Sequence, residues 1–211
     1  MTKNFIFIRH GESDANAGNH LVKPNSEISL TERGAVLSRS LANTCANTPS
    51  DIYISEFKRA NQTAVPLCQK YQITTTELSL LNEFDAIDFD IEKKLTQQEK
   101  LALIKRYWLE ANPKERIGVQ AETYKEFCQR VSQFKLSLPS LNNESFIIGH
   151  GMWFAQFIWQ TLGLDDGKPS QNMKGFGNFF LNMPISNLDQ FHISIINHNV
   201  SLRKIDISLQ I

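Results

Sequence analysis

Four consecutive apolar residues, Phe5, Ile6, Phe7 and Ile8, stand between Asn4 and Arg9. A run of β-forming residues with no polar alternation suits a central strand covered on both faces. The pattern returns over 51–54 and over 146–148, which predicts two further buried strands. Between these runs the apolar period lengthens. Ala35, Leu37, Leu41, Ala42 and Cys45 predict a helix to about residue 47, entered through Ser29 or Thr31. Ser29 and Glu32 have capping-box spacing. Ala60, Ala64, Leu67 and Cys68 predict a helix over 59–71, and Ile73 with three threonines predicts a strand over 72–78. Phe127, Val131, Phe134 and Leu138 recur at three and four in a helix over 122–138, which Pro139 ends. A very apolar helix over 153–162 is closed by Gly163. Strands are predicted over 178–181, 191–196 and 201–207, the last two joined by a hairpin turn at Asn197-His198-Asn199.

Strand, helix, strand in this rhythm is the βαβ pattern of an α/β protein with a mostly parallel sheet, here with an antiparallel edge. The rhythm breaks from about Leu80 to Gly118. That stretch is charged, with Lys93, Lys94, Glu99, Lys100, Lys105 and Arg106, yet places Leu101, Ile104, Trp108 and Leu109 on one helical face. It predicts a helical cap at about 84–118 within a single domain, because roughly 40 residues cannot build an independent core. Gly175 and Gly177 suggest that 172–178 forms a loop over a pocket.

Composition changes this picture little. The 211 residues fit one domain. Lys plus Arg number 22 and Asp plus Glu number 22, so the net charge is +0 and no overall field draws nucleic acid or an acidic membrane. Cys45, Cys68 and Cys128 lie among apolar neighbours with no Cys-x-x-Cys pair, which suits core filling. The first apolar run is too short for a signal-peptide core or a membrane span, so a cytoplasmic setting is expected.

The chemistry sits at strand ends. His10 follows the first strand in Arg9-His10-Gly11-Glu12-Ser13, and His150 follows a later one in Gly149-His150-Gly151. Ligands of open α/β sheets bind in the crevice beyond the carboxyl ends of the strands. An imidazole held neutral in one tautomer is a nucleophile or a general base. Arg9 and Arg59 offer rigid forks of donors that suit phosphate oxygens, and the helix start at Arg59 adds free amides. A protonated His150 gives another charge-assisted donor. Such a set would surround the oxygens of a transferring phosphoryl group. Arginines beside both histidines oppose a metal ion, so no metal site is expected. Glu12 reads as a supporting loop residue, His20 as a lesser candidate for a ligand contact, and His192 and His198 as structural or exposed. Trp153, Phe154, Phe157 and Trp159 read as a buried helix rather than a stacking platform.

These segments, with Asn16, Leu30-Thr31-Glu32-Arg33-Gly34, Ser55, Arg59-Ala60 and Gln62-Thr63-Ala64, resemble the histidine phosphatase superfamily. That group includes the cofactor-dependent phosphoglycerate mutases and the fructose-2,6-bisphosphatases. The resemblance runs from residue 3 to about 165. It implies a three-layer α/β/α sandwich of the phosphoglycerate mutase-like kind. It implies that His10 becomes phosphorylated, that Arg9, Arg59 and His150 hold the phosphoryl oxygens, and that Asn16 touches the phosphate or its neighbouring group. Glu83, in Leu81-Asn82-Glu83-Phe84, would give a proton to the leaving alcohol and then take one from water. Relatives commonly continue with a Gly and a Trp-Glu-Gly turn. This chain has Asp85-Ala86-Ile87-Asp88-Phe89-Asp90, and Gly118-Val119-Gln120-Ala121-Glu122-Thr123 replaces a downstream Gly-Glu-Ser segment. Asp85 and Asp88 are therefore alternatives for the acid.

The expected protein is a phosphomonoesterase that works through a phosphohistidine on a small phosphorylated metabolite. It needs no cofactor, has no nucleic-acid or membrane partner, and is a monomer or homodimer. Two alternatives stand beside this reading. One is a cofactor-dependent phosphoglycerate mutase, though such mutases carry a larger cap insertion. The other is a catalytically weak protein that binds or scaffolds a phosphorylated partner.

Overall fold

The computed structural model of the chain describes residues 2–18, 23–165, 167–197 and 199–206. His20, His198 and the end of the strand predicted over 201–207 lie outside them. The centre is a six-stranded sheet in the order β3-β2-β4-β1-β5-β6. It is built from β1 (Thr2–Arg9), β2 (Ile52–Ile54), β3 (Thr75–Glu77), β4 (Ser145–Gly149), β5 (Gln190–Ile196) and β6 (Asn199–Ile205). The pairs β3/β2, β2/β4 and β4/β1 are parallel, whereas β5 runs antiparallel to both β1 and β6. The mostly parallel sheet and its antiparallel edge are as the sequence predicts.

Period-2 geometry sends the side chains of β1 to opposite faces. Phe5 and Phe7 enter one core with Ile147, and Ile6 and Ile8 enter the other with Phe146 and Ile148. Helices α1 (Glu32–Thr44) and α2 (Lys58–Tyr71) supply Leu41, Ala60, Ala64 and Leu67 to the second core. Helices α5 (Tyr124–Ser137) and α6 (Gly151–Thr161) fill the first, which is largely aromatic. Phe7 stacks on Phe154 of α6 at 3.7 Å between ring centroids. The result is helices on both faces of the sheet, the three-layer α/β/α arrangement. No helix among the described residues is long and apolar enough to cross a membrane.

Several boundaries differ from expectation for identifiable reasons. Thr31, not Ser29, caps α1, accepting from the Gly34 amide at 3.0 Å. The strand expected over 72–78 is only Thr75–Glu77, because Gln72 takes a left-handed backbone (φ 57°) that ends α2. The strand expected over 178–181 and the loop expected over 172–178 are both part of a helix, α7 (Pro169–Asn182). Pro169 opens that helix, and Met173 and Phe176 are buried along it. Its glycines serve close packing. A Cβ on Gly175 would lie 3.0 Å from the Trp159 ring, and one on Gly177 would lie 3.1 Å from Trp108.

The excursion after β3 contains α3 (Phe89–Glu92) and α4 (Gln97–Glu110). It returns to its own base, where Ile87 and Ile117 form a parallel bridge and the Asp88 amide donates to the Ile117 carbonyl at 2.8 Å. The predicted apolar face of α4 is rotated in the structure. Tyr107 and Leu103 pack inward, whereas Leu101 and Leu109 are 58% and 64% exposed. The aromatic cluster of Phe84, Tyr124 and Phe176 draws in Tyr107 and Trp108, and this sets the rotation.

Two truncations test this layering. Phe7→Ala is expected to lower unfolding stability by about 3–5 kcal/mol, read from the urea midpoint. Leu181→Ala, on the outer face of α7 and 79% exposed, is expected to change it by no more than about 0.5 kcal/mol.

Candidate active site

The parallel pairing of β1 with β4 runs one residue past the strands. Arg9 pairs with Gly149, and the His10 amide donates to the Gly149 carbonyl at 2.9 Å. His10 and His150 therefore leave adjacent strand ends together, with ring centroids 5.1 Å apart, and both are buried.

The tautomer of His10 follows from its partners. Its Nδ1 is 2.7 Å from the Gly11 carbonyl, which can only accept, so Nδ1 carries the hydrogen. Nε2 is left with a lone pair and accepts from Arg59 Nε at 3.1 Å. Burial, and then the positive charges of Arg59 and Arg9, hold this imidazole well below the usual range and keep it neutral. The same causes, burial first, act on His150. Its Nε2 shares a 2.6 Å hydrogen bond with Ser55 Oγ, and its buried Nδ1 has no partner among the described residues. Burial thus disfavours the protonated His150 that would be a charge-assisted donor.

Two arginines flank the pair. Arg9 Nη1 donates to the Ile185 carbonyl, while its buried Nε has no partner among the described residues. Gly151 makes room for it, since a Cβ there would lie 3.1 Å from Arg9 Nε. Burial lowers the Arg9 pKa against the opposing pull of Glu83 and Asp189. Arg59, at the start of α2, is lowered to about 10, chiefly by burial, and its Nη1 donates to the Asn25 carbonyl at 2.6 Å. A buried cation with free donors and few carboxylates around it is the electrostatic form of an anion site.

The turn after His10 is braced by close packing. A Cβ on Gly34 would fall 2.0 Å from the Glu12 carbonyl oxygen, and one on Gly11 would fall 2.9 Å from Ser38 Oγ. Glu12 accepts from the Thr31 hydroxyl at 2.8 Å, so it holds the loop to α1, as expected of a supporting residue. Thr63 of α2 accepts from the Gly11 amide at 3.0 Å and donates to the Arg59 carbonyl at 2.7 Å.

Glu83 lies across the N-terminus of α6. Its carboxylate accepts from the amides of Trp153 at 2.8 Å, Phe84 at 3.0 Å and Met152 at 3.1 Å. Arg130 of α5 holds the preceding loop through the carbonyls of Leu80 and Asn82, and is itself clamped by both carboxylate oxygens of Glu122. Asp88 is not presented to the site. Its oxygens accept from the amides of Gln120 and Asp90, which lower its pKa, and Gly118 (φ 103°) is pressed against its Cβ. Asp85 lines a cavity beside Arg59 and is raised to about 6, first by burial and then by Glu92.

Asn16 is placed less directly than the arginines. Its Oδ1 accepts from the Ser13 hydroxyl and from Asn187 Nδ2, each at 3.0 Å. Asn187 also donates to the His10 carbonyl at 3.0 Å. Sequence reading missed Asn187, which sits in an aperiodic turn before β5. Only the pairing of β5 with β1 carries that turn to the site. The cavity, about 370 Å³, opens between Asn25, Asp85 and Met152 on the side of the histidines and Phe89, Ile104 and Trp108 on the side of the excursion.

The histidine phosphatase superfamily (branch 1) matches residues 5–174. The fold recurs in an α-ribazole phosphatase from Shigella flexneri, with a TM-score of 0.72, 22% identity and 95% of each chain covered. It recurs in a mycobacterial glucosyl-3-phosphoglycerate phosphatase, with 0.65, 18% and 97% of each chain. A phosphoserine phosphatase from Entamoeba histolytica, in complex with 3-phosphoglyceric acid, gives 0.68, 17% and 97% of each chain. These identities show a shared fold. No curated protein matches the chain by sequence. The chain belongs to the histidine phosphatase superfamily. It is, by that membership, an enzyme of the phosphoric monoester hydrolase class.

Asp85 supplies a test of the site's electrostatics. Its folded pKa lies above the unfolded value of 3.8, so the fold binds the extra proton and loses stability as pH rises through about 6. Asp85→Asn is therefore expected to stabilise the protein by about 1–2 kcal/mol at pH 7.5 and to have little effect at pH 4. Thermal melts at the two pH values check the sign.

Proposed function

We propose that the protein is a phosphomonoesterase that carries the phosphoryl group on His10 Nε2. The observation that supports this most is the pinned tautomer: the Nδ1 hydrogen is committed to the Gly11 carbonyl, and a neutral Nε2 is aimed at the guanidinium of Arg59. A nucleophile in that state needs no base to activate it.

In this reading the phosphoryl oxygens accept from Arg9 Nε, Arg59 and His150 Nδ1. With the Ser55 hydroxyl donating to His150 Nε2, the proton of the neutral ring sits on Nδ1, ready to donate. The charge of a bound phosphate dianion also favours full protonation of His150, against the effect of burial. As the N–P bond forms, the bond to the ester oxygen breaks and the leaving alkoxide takes a proton from Glu83. Water then attacks phosphorus, gives its proton to Glu83, and the N–P bond breaks to release phosphate. Asp85 is the second candidate for the proton, since it faces the cavity and is protonated up to about pH 6. Asn16 acts near the phosphate through the turn it shares with Asn187. The substrate is a small phosphorylated metabolite, and a cytoplasmic setting completes the proposal.

Phosphate release from a panel of esters tests this. His10→Ala is expected to abolish release and to remove an alkali-stable, acid-labile phosphoprotein. Glu83→Gln is expected to lower kcat by about 10²–10⁴. If Glu83→Gln is near normal and Asp85→Asn is not, the proton belongs to Asp85. Interconversion of phosphoglycerates with a bisphosphoglycerate primer, without phosphate release, would replace the hydrolase with a mutase. Because His10 stays neutral below the usual imidazole range, the acid limb of kcat/KM is expected below pH 6.5.

A further inference from the structure

The cavity is lined by none of the histidines or arginines and adjoins them through Asn25, whose carbonyl accepts from Arg59, and Met152, whose amide donates to Glu83. Its far wall is apolar. Ile104 and Trp108 are one turn apart on α4 and both face it with Phe89 of α3 and Ile87, and Ile28 and, on the side of the histidines, Met152 add further apolar surface. Ile104 is 36% exposed, an aliphatic side chain left open to the cavity by the rotation of α4. The volume, about 370 Å³, falls in the range of pockets that enclose a compact organic ligand, and a two- or three-carbon alcohol would leave most of it wet.

The charged groups of the wall do not form a second phosphate site. Lys100 is paired with Glu92 across the excursion, and Lys93 is paired with Asp90 while lying over the Phe89 ring at 5.6 Å. Asp85 and Glu92 present carboxylates to the same space. Lys23 is exposed, on the loop before the 3-10 turn at Asn25–Glu27. A second phosphate placed here would meet the Asp85 carboxylate, with Lys93 and Lys100 already paired and Lys23 exposed on its loop.

We infer that this cavity receives the leaving alcohol of a singly phosphorylated ester whose body is bulky, flat and apolar, in preference to a small polyol or a bisphosphate. The inference rests on the hydrolase reading above. The phosphate sits at Arg9, Arg59 and the two histidines, and the organic part extends past Met152 toward Ile104 and Phe89. The apolar wall orients the ester, so its contribution falls on kcat/KM for large substrates.

The experiment compares 2-naphthylmethyl phosphate, ethyl phosphate and fructose 2,6-bisphosphate with the full-length protein. The first two are esters of primary alcohols of similar acidity, so they differ mainly in size and apolar surface. The expected kcat/KM for naphthylmethyl phosphate is more than about tenfold above that for the other two. Ile104→Ala, at a partly exposed position, is expected to narrow that ratio by about three- to tenfold. Release that favours ethyl phosphate or the bisphosphate, or a ratio that Ile104→Ala does not move, overturns the inference and leaves the hydrolase reading standing. No release from any of the three esters, or release that persists in His10→Ala, overturns the hydrolase reading and this inference with it.

Discussion

One backbone hydrogen bond, from the His10 amide to the Gly149 carbonyl, fixes the geometry on which the site depends. It extends the β1/β4 register by a residue and sets two imidazoles side by side at the end of the sheet. A slip of the register by one residue would turn each side chain to the opposite face. The apolar runs on both strands forbid that slip, because Phe5 and Phe7 are matched to an aromatic core and Ile6 and Ile8 to an aliphatic one. The packing of the sheet thus holds the chemistry in place.

The site that results gathers positive charge where water is scarce. Arg9, Arg59, His10 and His150 are all largely buried, and the nearest opposing carboxylates are Glu83 and Asp189 for Arg9, and Glu83 and Asp85 for Arg59. Burial costs the ionised forms, and the histidines respond by staying neutral. Two polar atoms, Arg9 Nε and His150 Nδ1, have no partner among the described residues. Buried groups of this kind rarely go unsatisfied without a reason, and a bound anion is one that would satisfy both. Small residues make the crowding possible. Gly151 yields space to Arg9, and Gly34 lets α1 approach the turn that follows His10.

The excursion between β3 and α5 forms much of the cavity's wall. Its base is tied by the Ile87–Ile117 bridge and by Asp88, while α4 is held against α7 through Trp108 and Phe176. Arg130 and Glu122 lock the adjoining loop that carries Glu83. Glu83 and the cavity wall are consequently held by the same neighbourhood.

Much of this was legible in the chain. Unbroken apolar runs marked the buried strands, because a strand covered on both faces has no polar positions to show. His10, His150, Arg9 and Arg59 were legible because each stands at a strand or helix end with small neighbours, a local signal. Other features were not. The strand expected over 178–181 is helix, because Gly175 and Gly177 read locally as loop while their purpose is to meet Trp159 and Trp108. The inward face of α4 was misjudged, since one helix with apolar residues on several sides takes its rotation from its neighbours. Asn187 and Arg130 carry no local pattern, and reach the site only through elements distant in sequence. The choice among Glu83, Asp85 and Asp88 likewise needed three dimensions, because three nearby carboxylates differ in which amides and charges surround them. The sequence by itself determined the buried central strands, the family and the histidines and arginines that stand at strand and helix ends, since those depend on short-range pattern. The tertiary structure decided the tautomer, the charge states and the shape of the cavity, since those depend on what long-range packing brings within a few ångströms.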